Sequence, residues 1–204
     1  MLSLFYAPGA CSMAAHIVME ESGEAYRPER MDLAKGEQKS AAYLKINPLA
    51  RVPALTLDDG KPLTENTAIL PFLGQRFGLW PQDPMAQIRA LSVIGFFATN
   101  VHPAFAHIRR PERYTEEVPA HPGIQAVGQK MFAGHLAQID AMYAGREWLG
   151  NQYSVLDPYA WVFYVWGHRI NMPMAELKHY TAFKDRMLKR PAVQRVVADE
   201  GLSL

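Results

Sequence analysis

Residues 52–66 read Val52-Pro53-Ala54-Leu55-Thr56-Leu57-Asp58-Asp59-Gly60-Lys61-Pro62-Leu63-Thr64-Glu65-Asn66. Two short apolar runs, Ala54 to Leu57 and Pro62 to Thr64, flank Asp59-Gly60, and that dipeptide between such runs is a strong hairpin signal. Pro53 removes a ladder donor at the start of the first strand, which suits a sheet edge beside a ligand; a plain loop proline is the alternative. Upstream, Leu2 to Tyr6 reads as a short buried strand and Ala7-Pro8-Gly9 as a turn. Ala14, Ile17 and Val18 mark a helix face that stops at Gly23, a residue suited to ending helices. Tyr26 to Met31 is a second strand. After the polar loop Ala34 to Lys39 comes a helical turn, Ala41 to Lys45, which Asn47-Pro48 must end, because the residue before proline avoids the helical region. Downstream of Glu65 a helix carries Ile69, Leu70 and Leu73 to Phe77-Gly78.

The resulting order, βαβαββα, is a parallel crossover followed by an antiparallel hairpin and a closing helix, the order of a thioredoxin-like domain. It spans residues 1–79. Trp80-Pro81-Gln82-Asp83-Pro84 carries two prolines in five residues and is expected to be a stiff linker, taken as 80–85. The remainder, 86–204, reads as all-helical, so the fold class is α+β. Ile88, Leu91, Gly95 and Ala98 share one helix face, and the stripe is expected to run on to His102 beside Pro103. Phe132, Leu136, Ile139 and Tyr143 form a second stripe, ended near Gly145. Tyr159 to Trp166 is apolar all round, the pattern of a central buried helix. Its start carries an acidic capping box, with the Ser154 hydroxyl accepting from the Asp157 N–H and the Asp157 carboxylate reaching back to the Ser154 N–H.

A chain of 204 residues holds one large core or two small ones, at about 150 residues per domain. With 49% hydrophobic and 20% charged residues the composition is that of a globular protein and excludes disorder. The net charge of +1 supplies no field for nucleic acid or an anionic membrane. Cys11 is the single cysteine, so no intrachain disulfide forms and a cytoplasmic setting is expected. No signal peptide is read at the N-terminus, and Tyr159 to Trp166, the longest aromatic-aliphatic run, is far short of the roughly 20 residues that span a bilayer. His102 and His107 make no metal motif, and neither G-x-G-x-x-G nor G-x-x-x-x-G-K-[ST] occurs, so neither a metal nor a nucleotide cofactor is expected.

Chemistry gathers where the first helix begins. Pro8-Gly9-Ala10-Cys11-Ser12 brings two nucleophile-type side chains to a helix start, where N–H groups and the helix dipole favour a thiolate or another anion; a small buried hydrophobe is the plain reading of Cys11. No second thiol follows at the C-x-x-C spacing. Glu65 either caps the next helix or offers a carboxylate to a ligand ammonium. His16 reads as a packed or capping histidine. Arg109, Arg110 and Arg113 read as a solvated loop, or else as a rim that attracts anionic substrates.

Phe5-Tyr6-Ala7-Pro8-Gly9-Ala10-Cys11-Ser12, Asn47-Pro48 followed by Val52-Pro53, Leu63 to Ile69 and Ser154 to Asp157 together resemble the cytosolic glutathione transferases, specifically the bacterial beta class. The resemblance covers nearly the whole chain. It implies a homodimer, with glutathione as co-substrate on the first domain and a small hydrophobic electrophile facing it. Carried over by position, Cys11 would lie at the glutathione sulfur and Pro53 would be cis. The backbone of Val52 would pair with the cysteinyl part, Glu65 and Asn66 would hold the γ-glutamyl end, and Lys35 the glycyl carboxylate. Thr99, Asn100 and His102 match the stretch lining the catalytic site. Tyr6, Cys11, Ser12 and His102 are the side chains that could donate to the sulfur. The activity implied is conjugation; the alternatives are glutathione-dependent thiol-disulfide exchange through Cys11 and glutathione binding without turnover.

Overall fold

The computed structural model describes Met1 to Ser203; Leu204, the last residue of the expected helical domain, lies outside the described residues. The N-terminal elements are β1 (Ser3–Tyr6), α1 (Met13–Ser22), β2 (Arg27–Arg30), α2 (Ala41–Leu44), β3 (Ala54–Thr56), β4 (Pro62–Thr64) and α3 (Asn66–Arg76). They form one sheet in the order β2-β1-β3-β4, with β1 parallel to β2 and antiparallel to β3, and β3 antiparallel to β4. This is the thioredoxin-like order read from the sequence. Strand alternation sends Leu2, Leu4 and Tyr6 into the main core beside Ala14, Ile17 and Val18. Phe5 and Ala7 go to the other face, with Tyr43, Val52 and Ala54.

The C-terminal region is helical: α4 (Pro84–Phe96), α5 (His102–Arg109), α6 (His121–Met142), α7 (Leu156–Arg169), α8 (Lys178–Leu188) and α9 (Pro191–Asp199). α7 is the central helix expected, buried from Leu156 to Gly167. The helix α4 begins inside the expected linker, because the Asp83 carboxylate accepts the Ala86 N–H at 2.7 Å with Pro84 at the first helical position, a strong helix start. Trp80 is buried, and the Val155 N–H donates to the Leu79 carbonyl at 3.2 Å. Leu73, Trp80, Ile94, Phe97 and Phe163 accordingly share one continuous core.

The stripe expected on α4 is turned the other way. Ile88 is 60% and Leu91 44% exposed, while Ala90, Ile94 and Phe97 are buried. Both faces of α4 are apolar, and the face with the larger aromatic takes the core. His102 also leaves the stripe, because Phe97–Val101 forms a π-turn. Such a turn adds a residue, and each residue advances an α-helix by about 100°. The continuous helix Pro84–Arg109, 26 residues, is by length and composition able to cross a bilayer, a test that a core helix of a water-soluble fold also passes; it packs on α6 and α7 along one side.

The capping box forms in part. The Ser154 N–H donates to Asp157 Oδ2 at 3.0 Å, but Ser154 Oγ accepts from Leu156 at 3.4 Å, and the Asp157 N–H goes to the Ser154 carbonyl. Asp157 Oδ1 takes the Leu149 N–H and the Tyr143 O–H. Burial nevertheless outweighs these donors and raises the Asp157 carboxyl to about 6. The folded chain therefore takes up this proton before the unfolded chain does. The Asp157 contribution makes the protein more stable as pH falls from about 6 to about 4, by up to about 3 kcal/mol, and the cost of its ionisation is fully present above that window. Urea unfolding at pH 4 to 7 should show this slope disappearing in Asp157→Asn, whereas Asp157→Ala, which also orphans the donors, should lose about 2–4 kcal/mol.

Candidate active site

The turn between β1 and α1 is closed by Ser12, whose buried hydroxyl accepts the Ala7 N–H at 3.1 Å and donates to the Ala7 carbonyl at 3.3 Å. Both hydrogen bonds of the Ser12 hydroxyl thus lie within the turn. Gly9 has φ +67°. Its N–H donates to Glu200 Oε2 at 2.7 Å, and its carbonyl accepts from Trp166 Nε1 at 2.9 Å and from the Arg169 guanidinium.

Cys11 follows this turn, half-buried, and its thiol donates to the Val52 carbonyl at 3.3 Å. The expected thiolate is not what the site favours. Burial first, and the Glu65 carboxylate second, raise the thiol to about 12, outweighing the N–H groups of Cys11 and Ser12 and the charge of Arg51. Val52 joins Pro53 through a cis bond. The segment before it is held by the Arg51 carbonyl, which accepts from Tyr43 Oη at 2.6 Å and Asn47 Nδ2 at 2.8 Å. This is what Asn47-Pro48 contributes. Among the described residues the Val52 N–H has no acceptor.

Opposite, Glu65 has φ 68° and ψ 129°, and its carbonyl accepts from Ala68 and Ile69, so the backbone, not the side chain, caps α3. Its exposed carboxylate makes no hydrogen bond or ion pair among the described residues. A non-glycine residue held there costs about 1–3 kcal/mol and persists only where the surroundings impose it. Buried Asn66 donates to the Cys11 carbonyl at 3.0 Å, and its Oδ1 is buried without a partner. Asn66 therefore ties α3 to the turn.

The other candidates are spread out. Tyr6 packs against His16 at a 44° tilt, centroids 4.4 Å apart, with its hydroxyl pushed up by burial and then by Glu200; the alternation of β1 turns it into the core beside α1, and among the described residues it makes no bond to Cys11. His16 is packed as expected, its Nδ1–H donating to Glu200 Oε1 at 2.9 Å. His102 stands edge-on to Trp166 at 5.0 Å, and burial, then Arg113 and Arg51, lower it to about 4, so it is neutral at physiological pH. Thr99 and Asn100 lie exposed on the π-turn, bonded to the Gly95 carbonyl and to each other. Lys35 is exposed and pairs with Asp32 at 3.2 Å. Arg51 is the residue the sequence reading missed, close enough to act on both Cys11 and His102; its place directly before Val52-Pro53 was the available signal. Arg113 acts on His102 too, and Arg109, Arg110 and Arg113 are all exposed. No group of three or more His, Cys, Asp or Glu is placed to hold a metal among the described residues.

A thioredoxin-like domain with an unpaired backbone N–H at Val52 before β3, an unpartnered acid at the start of α3 and a helical C-terminal region defines the class of transferases built on that fold. The comparisons narrow it. Residues 1–75 match the family described as Glutathione S-transferase, N-terminal domain. The chain is 32% identical to a glutathione S-transferase, GstA, of Escherichia coli O157:H7, covering 98% of this chain and 100% of the relative. A glutathione transferase homolog from sulfitobacter, solved with bound glutathione, superposes with a TM-score of 0.92 at 32% identity over 100% of this chain and 99% of that one. The beta class enzyme of Sphingomonas chungbukensis gives 0.87 at 30% identity, over 98% and 100%. The chain belongs to the glutathione S-transferase family.

A protonated thiol alkylates slowly. Iodoacetamide should modify Cys11 at pH 8 at least tenfold more slowly than free cysteine, with a rate that rises through pH 9 without a plateau; Glu65→Gln should speed it. Mass spectrometry of timed samples checks this, and a plateau near pH 7 would contradict it.

Proposed function

We propose that the protein conjugates the glutathione thiolate to a small hydrophobic electrophile. The observation that carries this is Glu65, held at φ 68° with an unpartnered carboxylate, across from the free N–H of Val52. An acid kept in a strained conformation beside an unpaired backbone N–H suits a short peptide with an ammonium group. The cysteinyl unit of glutathione would pair with Val52 as an added strand, and its γ-glutamyl ammonium would meet Glu65. The sulfur would then lie near the start of α1, where the N–H groups of Cys11 and Ser12 and the helix field favour an anion. The thiol proton leaves to solvent, the thiolate forms a C–S bond with the electrophile, and the departing group takes the bonding pair. Arg51 acts on that position and Arg113 on His102, while Lys35 would reach the glycyl carboxylate. Neutral His102 can donate or accept one proton.

Thiol-disulfide exchange through Cys11 is the weaker reading, because it needs Cys11 as an attacking thiolate and burial holds the thiol at about 12. No resident cofactor is needed, and reduced glutathione as co-substrate suits a cytoplasmic setting. A homodimer is supported by the apolar side chains left exposed on α4, Met85, Ile88 and Leu91, and on α6, Val127 and Met131. By sedimentation equilibrium the protein should be a dimer and Leu91→Glu shifted toward monomer; a monomeric native protein would contradict this.

Reduced glutathione should raise the thermal midpoint saturably, since a ligand at a hundred times its dissociation constant adds about 2.7 kcal/mol. Glu65→Gly should stabilise the free protein by up to about 1 kcal/mol by releasing the strain, yet weaken glutathione at least tenfold and lower conjugation of a chloronitrobenzene. A glutathione-induced shift without turnover on a panel of electrophiles would favour the non-catalytic alternative. No shift at millimolar glutathione would overturn the proposal.

A further inference from the structure

Arg110 and Arg113 follow α5 on a turn that the structure holds in place. Pro111 is buried at the start of the 3-10 turn Pro111–Arg113, and the Arg113 N–H donates to the Arg110 carbonyl at 3.0 Å. Tyr114 lies flat on His107, with centroids 3.8 Å apart and an interplanar angle of 18°. The His107 ring is fixed in turn, its Nδ1–H donating to the Pro103 carbonyl at 2.7 Å. α6 closes on the same place at Gly128, where a Cβ would stand 2.6 Å from that of His107, and Gln125 Nε2 donates to the Ile108 carbonyl at 3.0 Å. The turn is therefore anchored on α5 and α6, while its guanidinium groups stand exposed.

These groups also lack counter-ions. Arg76, Arg190 and Arg195 meet carboxylates at 2.7, 2.6 and 2.7 Å. Among the described residues Arg51, Arg110 and Arg113 have no carboxylate within 4.0 Å. Arg51 belongs to the thioredoxin-like part and directly precedes the Val52 carbonyl that takes the Cys11 thiol at 3.3 Å. Its own carbonyl is fixed by Tyr43 and Asn47. The two parts act on one another here: Arg113 is lowered by burial and then by Arg110 and Arg51, against the smaller opposite effect of Glu112. His102 is lowered by burial and then by Arg113 and Arg51. In a chain of net charge +1, positive charge is thus gathered beside Cys11 and His102. Like charges so gathered repel. An anion relieves the repulsion, and the planar guanidinium suits a carboxylate.

We infer that the electrophile carries a carboxylate, which Arg51 on the thioredoxin-like part and the Arg110–Arg113 turn on the helical part receive together while the apolar carbon framework meets the glutathione sulfur. This rests on the conjugation proposed above and narrows its substrate class from small hydrophobic electrophiles to those with an acid group at one end. Glutathione's own carboxylates are the rival anions for these arginines, and its KM separates the two.

The test compares a chloronitrobenzoate with the chloronitrobenzamide of the same substitution pattern, each enzymatic kcat/KM being divided by the uncatalysed rate with glutathione. On either ring the thiolate forms a C–S bond and chloride leaves with the bonding pair, so charge is the main difference. The enhancement should be at least tenfold larger for the benzoate at low salt, and the advantage should shrink at about 0.5 M salt. Arg110→Gln and Arg113→Gln should each cut the benzoate-to-benzamide ratio at least threefold without lowering the unfolding midpoint, and Arg113→Lys should restore part of it. Equal enhancement of the two compounds, a ratio indifferent to salt and to both variants, or a loss that takes the form of a raised KM for glutathione with both compounds would overturn the inference and leave conjugation standing. If neither compound is turned over, the conjugation reading fails instead. Calorimetric titration of the protein saturated with S-methylglutathione then decides: the benzoate binding at least tenfold more tightly than the benzamide sustains the carboxylate site, and equal or absent binding overturns it.

Discussion

The active-site turn depends on hydrogen bonds from the other end of the chain. Gly9 sits at φ +67° with the Arg169 guanidinium where a side chain would stand, and both its backbone groups are taken by residues 157 and 191 positions away, Trp166 and Glu200. Each such buried group left unpaired would cost about 1–3 kcal/mol. The thioredoxin-like part therefore does not present its turn alone. The packing of α1 against α7 and α9 and the shared core through Trp80 point the same way: the two regions stabilise one another, and the site lies where they meet.

Within that frame the polar residues divide into those that build the site and those left free. Ser12, Asn47 and Asn66 build: each spends its side chain on a backbone group that fixes the turn, the segment before Val52 or the start of α3. Glu65 and the Val52 N–H are left free, as is the Arg51 guanidinium near Cys11. Rigid scaffolding around a few unspent groups is what a preorganised binding site requires.

Much of the fold was legible because its signals are local. Asp59-Gly60, Gly23 and Asn47-Pro48 act through their own dihedral preferences, and the strand and helix order follows from them. The side chains that differ from expectation are those whose fate is set at long range. Ser12 looks like a nucleophile until Ala7 takes its hydroxyl, and Tyr6 looks like a sulfur donor until strand alternation turns it onto His16. On α4 the sequence offers two apolar faces, and nothing local says which one the core takes. The π-turn after Phe96 lies between Gly95 and Pro103, and Pro103 leaves the Thr99 carbonyl without an i+4 donor, but neither residue tells from the sequence how far the helical phase shifts. Glu65 was legible as a candidate, but its positive φ was not, since a glutamate is not expected there.

The state of Cys11 carries a further consequence. Peroxides and other oxidants attack the thiolate, and sulfenic acid formation is the first rung toward irreversible damage. A lone cysteine that burial and Glu65 keep protonated is a poor target for them. The protein's only sulfhydryl should therefore outlast the oxidative stress that consumes ordinary surface thiols.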